Sequence, residues 1–157
     1  MTPEMQAKIA AQDWGNIAVQ DTFAEGKGVF ATENIPHGQV VCNYGGKFVN
    51  GQEEEGDFLF EINYTLDGIQ HRRFLDLRGS DEKTMGQTIN HSAKHPNVAP
   101  KVFFSSCVPE VMFVSLEEIK EGTQLVWNYG RNFQGVKQCV TGCQKCVTKS
   151  QKTSGSL

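Results

Sequence analysis

The stretch Gly86–Pro100, GQTINHSAKHPNVAP, decides how the rest of the chain is read. By composition it is a loop, because Ser, His, Pro and Asn crowd together just after Ile89. Yet it lies between two apolar patches in mid-chain rather than at an end. A polar connection in such a place is either a plain surface link or a piece of a site. Its neighbours must decide between the two.

Those neighbours are mostly short strand-like runs. Thr2 followed by Pro3 reads as an N-cap and first helical position, and Met5 and Ile9 stand four apart, which predicts a helix over about residues 3–12. From there NIAVQ (16–20), GVFAT (28–32), QVVCNY (39–44), FLFEINYT (58–65), RRFLDL (72–77), VFF (102–104), VMFVSL (111–116) and TQLVWNY (123–129) are rich in β-branched and aromatic residues and separated by turn residues. Only SDEKTMGQTI reads differently. Ser80 begins it with acids in the first turn, so a short helix leads into the Asn-His-Ser loop. This predicts a mainly β fold, α+β with few short helices, built from several small packed sheets. Two fragments repeat one device: ENIPHGQVV (33–41) and EEIKEGTQLV (117–126) both run acid, Ile, two residues, Gly, polar residue, strand. No longer repeat is evident.

Length and composition narrow the class. The 157 residues suit one domain, read as an N-terminal helical extension (1–14), a body (15–133) and a Cys-containing basic tail (134–157) whose end, KSQKTSGSL, reads as disordered. No apolar run approaches the roughly 20 residues of a membrane span. The start, MTPEMQAKIAAQDW, lacks the apolar core of a signal peptide, so the expectation is an intracellular chain without a membrane partner. Residues 1–130 carry a balance of -8 and residues 131–157 a balance of +5. An acidic body attracts basic peptides and repels nucleic acid, so no direct nucleic-acid binding is expected. Cys42 and Cys107 sit among apolar neighbours and read as buried reduced thiols. Cys139, Cys143 and Cys146 cluster, which favours metal binding or free thiols over disulfides.

Five pieces then stand in order: EGKGVFAT (25–32), IPHGQVVCNYGG (35–46), INHSAKHPN (89–97), VSLEEIKEGTQLVWNYG (114–130) and the Cys cluster. Their order and spacing over residues 15–133 resemble the SET domain of protein-lysine methyltransferases. The resemblance implies a pseudoknot, in which the Asn-His-Ser segment passes beneath the segment ending in Tyr-Gly. It implies S-adenosylmethionine as cofactor and a lysine-containing protein, a histone first among them, as substrate, and hence a nuclear setting. It assigns Gly26, Lys27 and Gly28 to backbone contacts with the methionine part, and Asn90 and the backbone of His91 to holding the cofactor. Tyr129 would face the transferring methyl group and the amine as the main catalytic residue. Tyr44 would lie near the cofactor or the lysine channel, or be a core aromatic. Phe133 would sit against the adenine or close the channel. Trp127 would narrow the channel and limit transfer to one methyl group, or be core packing.

The chain also departs from the family pattern. Gln87 stands where Arg is frequent, Ala93 where a Cys often follows the Ser, and Asn128 where Asp is frequent. Cys139, Cys143 and Cys146 have the spacing C-x3-C-x2-C, not the family's C-x-C-x4-C, and three thiolates make an incomplete tetrahedral site. Zinc therefore stays open. The segment between Gly46 and Gly86 sets substrate choice in the family, and here Glu53, Glu54, Glu55, Asp57 and Glu61 would favour a basic peptide. The rivals to an enzyme are a catalytically inactive SET-like binding module and a zinc-dependent binding domain. The oligomeric state is left open.

Overall fold

The computed structural model describes residues 2–49, 59–76, 84–105, 108–128 and 133–134. The chain opens with α1 (Pro3–Ala11). The Thr2 hydroxyl accepts a hydrogen bond from the Met5 amide at 3.2 Å, and Pro3 takes the first turn, where its missing N–H leaves nothing unpaired. Met5 and Ile9 pack against the core as their spacing predicts, although no residue of α1 is fully buried.

Eleven short strands follow among the described residues: β1 (Ile17–Asp21), β2 (Lys27–Ala31), β3 (Val40–Asn43), β4 (Lys47–Val49), β5 (Leu59–Leu66), β6 (Ile69–Asp76), β7 (Asn90–His91), β8 (Val98–Ser105), β9 (Val108–Ser115), β10 (Val126–Trp127) and β11 (Phe133–Gln134). A second helix, α2 (Met85–Thr88), precedes β7. The strands form four small sheets: the hairpin β1-β2, the three-stranded β3-β9-β8, the four-stranded β11-β5-β6-β4, and the pair β10-β7. This is the mainly β, few-helix architecture that the sequence predicts.

Three boundaries differ from expectation, each for a physical reason. The polar stretch does not run as loop to Pro100, because Val98–Pro100 already belong to β8. That strand lies at a sheet edge, where a proline's missing donor breaks no ladder. TQLVWNY is not one strand; only Val126–Trp127 are, with Gln124 making an isolated bridge to Phe30. The segment changes partners along its length, bonding first to β2 and then to β7, so no single ladder forms. The helix before the Asn-His-Ser segment is capped by Thr84, whose hydroxyl accepts from the Gln87 amide at 3.3 Å. Ser80 lies outside the described residues.

The core gathers under these sheets. Trp127, Phe113, Ile35, Ile119, Ile89 and Leu125 are its largest buried side chains, with Leu75 and Met112. Each such side chain contributes about 1.5–3 kcal/mol through removal of apolar surface from water. Ile35 and Ile119 come from the two look-alike turns. They meet in an antiparallel bridge with reciprocal amide–carbonyl bonds of 2.8 Å. Cys42 is buried as expected, and burial pushes its thiol pKa well up, which leaves it unreactive.

Candidate functional site

The site begins at the turn between β1 and β2. The Thr22 amide donates to the Gly26 carbonyl at 2.6 Å, and the Thr22 hydroxyl accepts from the Glu25 amide at 2.9 Å. Gly26 holds φ +75°, which a side chain rarely tolerates. Gly28 is required for a different reason. A Cβ there would lie 2.7 Å from Gln124 Nε2, 3.0 Å from Thr22 Cγ2 and 3.2 Å from Asn90 Nδ2. The first glycine of Gly-Lys-Gly makes the turn, and the second admits two amide side chains to its α-carbon.

Those amides arrive on other segments. Asn90 Nδ2 donates to the Lys27 carbonyl at 3.1 Å, tying β7 to β2. Asn90 Oδ1 accepts no hydrogen bond among the described residues. Beside β7 runs β10, parallel, with Asn90 opposite Val126 and His91 opposite Trp127. The Ser92 amide then bonds the Trp127 carbonyl at 2.9 Å. A parallel pair made from segments some 36 positions apart cannot come from a hairpin. The two segments therefore run side by side, joined by a long connection.

Asn97 fastens this pair. It is 5% exposed, its Oδ1 accepts from the Val126 amide at 2.8 Å, and its Nδ2 donates to the Gln124 carbonyl at 2.9 Å. Its backbone amide bonds the Val126 carbonyl at 3.0 Å, and its carbonyl accepts from Leu116 at 2.8 Å. The side chain thus acts as a second strand edge for residues 124–126. Asn97 closes the motif INHSAKHPN, yet nothing in its residue type separated it from an ordinary loop asparagine.

Tyr44 stands at the inner wall of this region. The residue is 4% exposed, and its ring makes edge contacts with Phe113 (5.5 Å between centroids) and Trp127 (5.7 Å), which also touch each other at 5.2 Å. Such edge-to-face pairs add about 0.5–1.5 kcal/mol each to the burial itself. The Tyr44 carbonyl accepts from the Thr84 hydroxyl at 2.6 Å and from Gln87 Nε2 at 3.1 Å. Both lone pairs are therefore engaged, and Gln87, a departure from the family pattern, anchors Tyr44. Behind Tyr44 runs a chain of amides: Gln12 Nε2 donates to Asn43 Oδ1 at 2.8 Å, and Asn43 Nδ2 donates to Glu110 Oε1 at 3.1 Å. Burial raises the Glu110 pKa, and the Asn43 bond offsets part of that. On the β5–β6 hairpin His71 stacks on Tyr64 at 5.2 Å, and burial together with the Arg73 charge holds its pKa below the ordinary value.

The sequence matches the family model described as SET domain over residues 26–130, two thirds of the chain. The chain belongs to the SET-domain family. Among relatives of this SET domain is mouse (Mus musculus) histone-lysine N-methyltransferase EHMT1, 31% identical over 140 residues that cover 84% of this chain and 10% of that protein. The probable histone-lysine N-methyltransferase set-23 of Caenorhabditis elegans is 29% identical over 138 residues, covering 79% of this chain and 55% of that one. The SET domain described here thus spans between a tenth and about half of these relatives. Among solved structures, CpSET8 from Cryptosporidium superposes with a TM-score of 0.65 at 23% identity, over 82% of this chain and 63% of that one, which shows the fold. A chain of apo polycomb repressive complex 2 superposes with a TM-score of 0.56 at 28% identity, over 74% of this chain and 15% of that one.

Within this SET domain Gly26, Lys27, Gly28, Asn90 and His91 come together, joined by the Asn90–Lys27 bond and the β7–β10 pair. Trp127 is 1% exposed, so its ring belongs to the core beside Tyr44. Tyr129, Cys107, Cys139, Cys143, Cys146 and the acidic run Glu53–Asp57 lie outside the described residues. Of Phe133 only the backbone is described, paired with Ile62. Among the described residues no group of three or more His, Cys, Asp or Glu side chains is placed to hold a metal ion, and no helix is long and apolar enough to cross a membrane. The sequence reading missed Asn97, Thr84 and Gln124, because each acts through contacts made across the fold.

Proposed function

We propose that the chain transfers a methyl group from S-adenosylmethionine to the side chain of a protein lysine, with a histone as the substrate class. One observation carries this reading: the Gly-Lys-Gly turn, Asn90 and Gln124 converge on the α-carbon of Gly28, beside the β7–β10 pair. The residues suit the cofactor. The missing Cβ at Gly28 leaves a cradle between two amides, and Asn90 Oδ1 can accept from an ammonium group. Gly26, Lys27, Gly28, Asn90 and the backbone of His91 would hold the group, with Phe133 against its aromatic end. When bound, the cofactor supplies an electrophilic methyl on a sulfonium.

The chain must then deliver a neutral amine in line with that methyl. A free lysine has a pKa of about 10.4, so its neutral form at pH 7 costs about 4–5 kcal/mol. An apolar channel lowers this pKa by desolvating the ammonium. Tyr129 would orient the amine by accepting a hydrogen bond from it. Tyr44, packed on Phe113 and Trp127, would form a fixed wall rather than a mobile base. The acidic residues Glu53, Glu54, Glu55, Asp57 and Glu61 would draw a basic peptide, bound as an added strand. The relatives' names as histone-lysine N-methyltransferases support the same substrate class and a nuclear setting.

The test is incubation with labelled S-adenosylmethionine and separated core histones, alongside Tyr129→Phe. Label on one histone with the native chain, lost in the variant, is the expected result. Cofactor binding without label on any histone would shift the reading to a non-histone substrate or a binding module. Absence of both would overturn it.

A further inference from the structure

Gln124 is the one member of the Gly28 cradle whose side chain is not accounted for. Its backbone is held on both sides: residues 124 and 30 form a bridge, the Leu125 amide bonds the Val29 carbonyl at 2.8 Å, and the Gln124 carbonyl accepts from Asn97. The backbone that carries the side chain is therefore fixed beside β2. Gln124 Nε2 approaches the Gly28 α-carbon so closely that a Cβ there would lie 2.7 Å away. This nitrogen is buried and has no acceptor among the described residues. A buried amide donor left unpaired costs about 1–3 kcal/mol, so a fold that keeps one beside a ligand cradle implies an acceptor from outside. The adjacent Asn90 cannot serve, because the atom it turns toward Gly28 is also a donor, Nδ2, already committed to the Lys27 carbonyl.

We infer that Gln124 is a cofactor-binding residue whose side-chain amide donates to the carboxylate of the methionine part of S-adenosylmethionine. This rests on the function proposed above. The division of labour follows from hydrogen-bond capacity. The methionine part carries an ammonium, which only donates, and a carboxylate, which only accepts. With Nδ2 on the Lys27 carbonyl, Asn90 keeps an acceptor, Oδ1, which suits the ammonium. Gln124 offers a donor, which suits the carboxylate. The terminal torsion of a glutamine side chain is broad, so the amide can turn toward a bound carboxylate without moving the backbone.

The experiment measures binding rather than turnover. S-adenosylmethionine and its decarboxylated analogue are titrated by calorimetry into the native chain, Gln124→Ala and Gln124→Glu. A hydrogen bond to a charged group corresponds to a factor on the order of 10 or more in affinity. The native chain is expected to prefer the carboxylate-bearing ligand by about that factor. Gln124→Ala should lose the preference, and Gln124→Glu should reverse it through repulsion of like charges, while affinity for the decarboxylated analogue stays near native. Equal weakening toward both ligands would show a packing role and overturn the inference. So would native affinities in both variants. A native chain that binds neither ligand would overturn the proposed function and this inference with it, an outcome distinct from the other two.

Discussion

The two look-alike turns, residues 33–41 and 117–126, begin alike and end differently. Both bury their isoleucine, Ile35 at 0% and Ile119 at 2% exposure, and these two pair with each other. Both then turn on a glycine at positive φ, Gly38 at +80° and Gly122 at +84°. After that they diverge. The first delivers β3 into a sheet with β9, and Ser115 of β9 fastens the turn: its hydroxyl donates to the Pro36 carbonyl at 2.6 Å and accepts from the Gln39 amide at 2.9 Å. The second delivers residues 123–127 between β2 and β7, and Asn97 of the Asn-His-Ser stretch fastens them. A polar side chain from another segment fastens the strand that follows each turn. Ser115 belongs to the strand that β3 pairs with, whereas Asn97 belongs to the loop that follows β7. The same local rule thus completes a sheet in one place and closes the proposed cofactor site in the other.

The shared part of the device should break hardest. Ile35→Ala and Ile119→Ala each remove a fully buried side chain and should cost about 3 kcal/mol by urea unfolding. Because the two residues touch, the double variant should lose less than the sum. Additive losses would show that the turns are independent. Next comes the part that differs. Asn97→Ala leaves the Val126 amide and the Gln124 carbonyl without partners and should cost about 2 kcal/mol. It should also weaken S-adenosylmethionine binding, measured by titration. Ser115→Ala should cost about 1 kcal/mol and leave that affinity unchanged, so equal effects on binding would erase the contrast.

Smaller effects sharpen the picture. At Gly38 and Gly122 a Cβ meets nothing within 4 Å, so Gly38→Ala and Gly122→Ala test backbone conformation alone. Each should lose about 1 kcal/mol in thermal unfolding. The smallest effect concerns Glu110, beside Asn43 at the end of β3. Its pKa is raised in the fold, so its stabilising contribution is full below the unfolded-state value and falls as pH rises through the folded one. Glu110→Gln removes the titration and keeps an acceptor for Asn43. Its stability relative to the native chain should therefore climb as pH rises from 4 to 7, and a flat difference would refute the assignment.

Much of this was legible beforehand, and the failures share a cause. Thr2, Pro3, Met5 and Ile9 specified α1 because capping and four-residue spacing are local rules. The runs rich in β-branched and aromatic residues around Val19, Val29 and Phe113 specified strands for the same reason. TQLVWNY was misread as one strand because its composition is strand-like while its partners change midway. Val98–Pro100 were misread as loop because proline argues against a strand unless an edge is known to be free. Thr84 and Gln124 gave no signal and Asn97 only its place at the end of INHSAKHPN, since threonine, asparagine and glutamine occur in any polar stretch.

By itself the sequence determined which pieces exist: capped helix, short strands, two glycine turns and the ordered motifs that place the chain in the SET-domain family. These depend on dihedral preference and side-chain periodicity, which act over a few residues. Only the tertiary structure decided that the segment after Gly122 passes beside Asn90–His91, that Gly28 must lack a side chain because two amides close over it, and that Trp127 packs against Tyr44 and Phe113. Each is a meeting of residues far apart in the chain, and only packing brings such residues together.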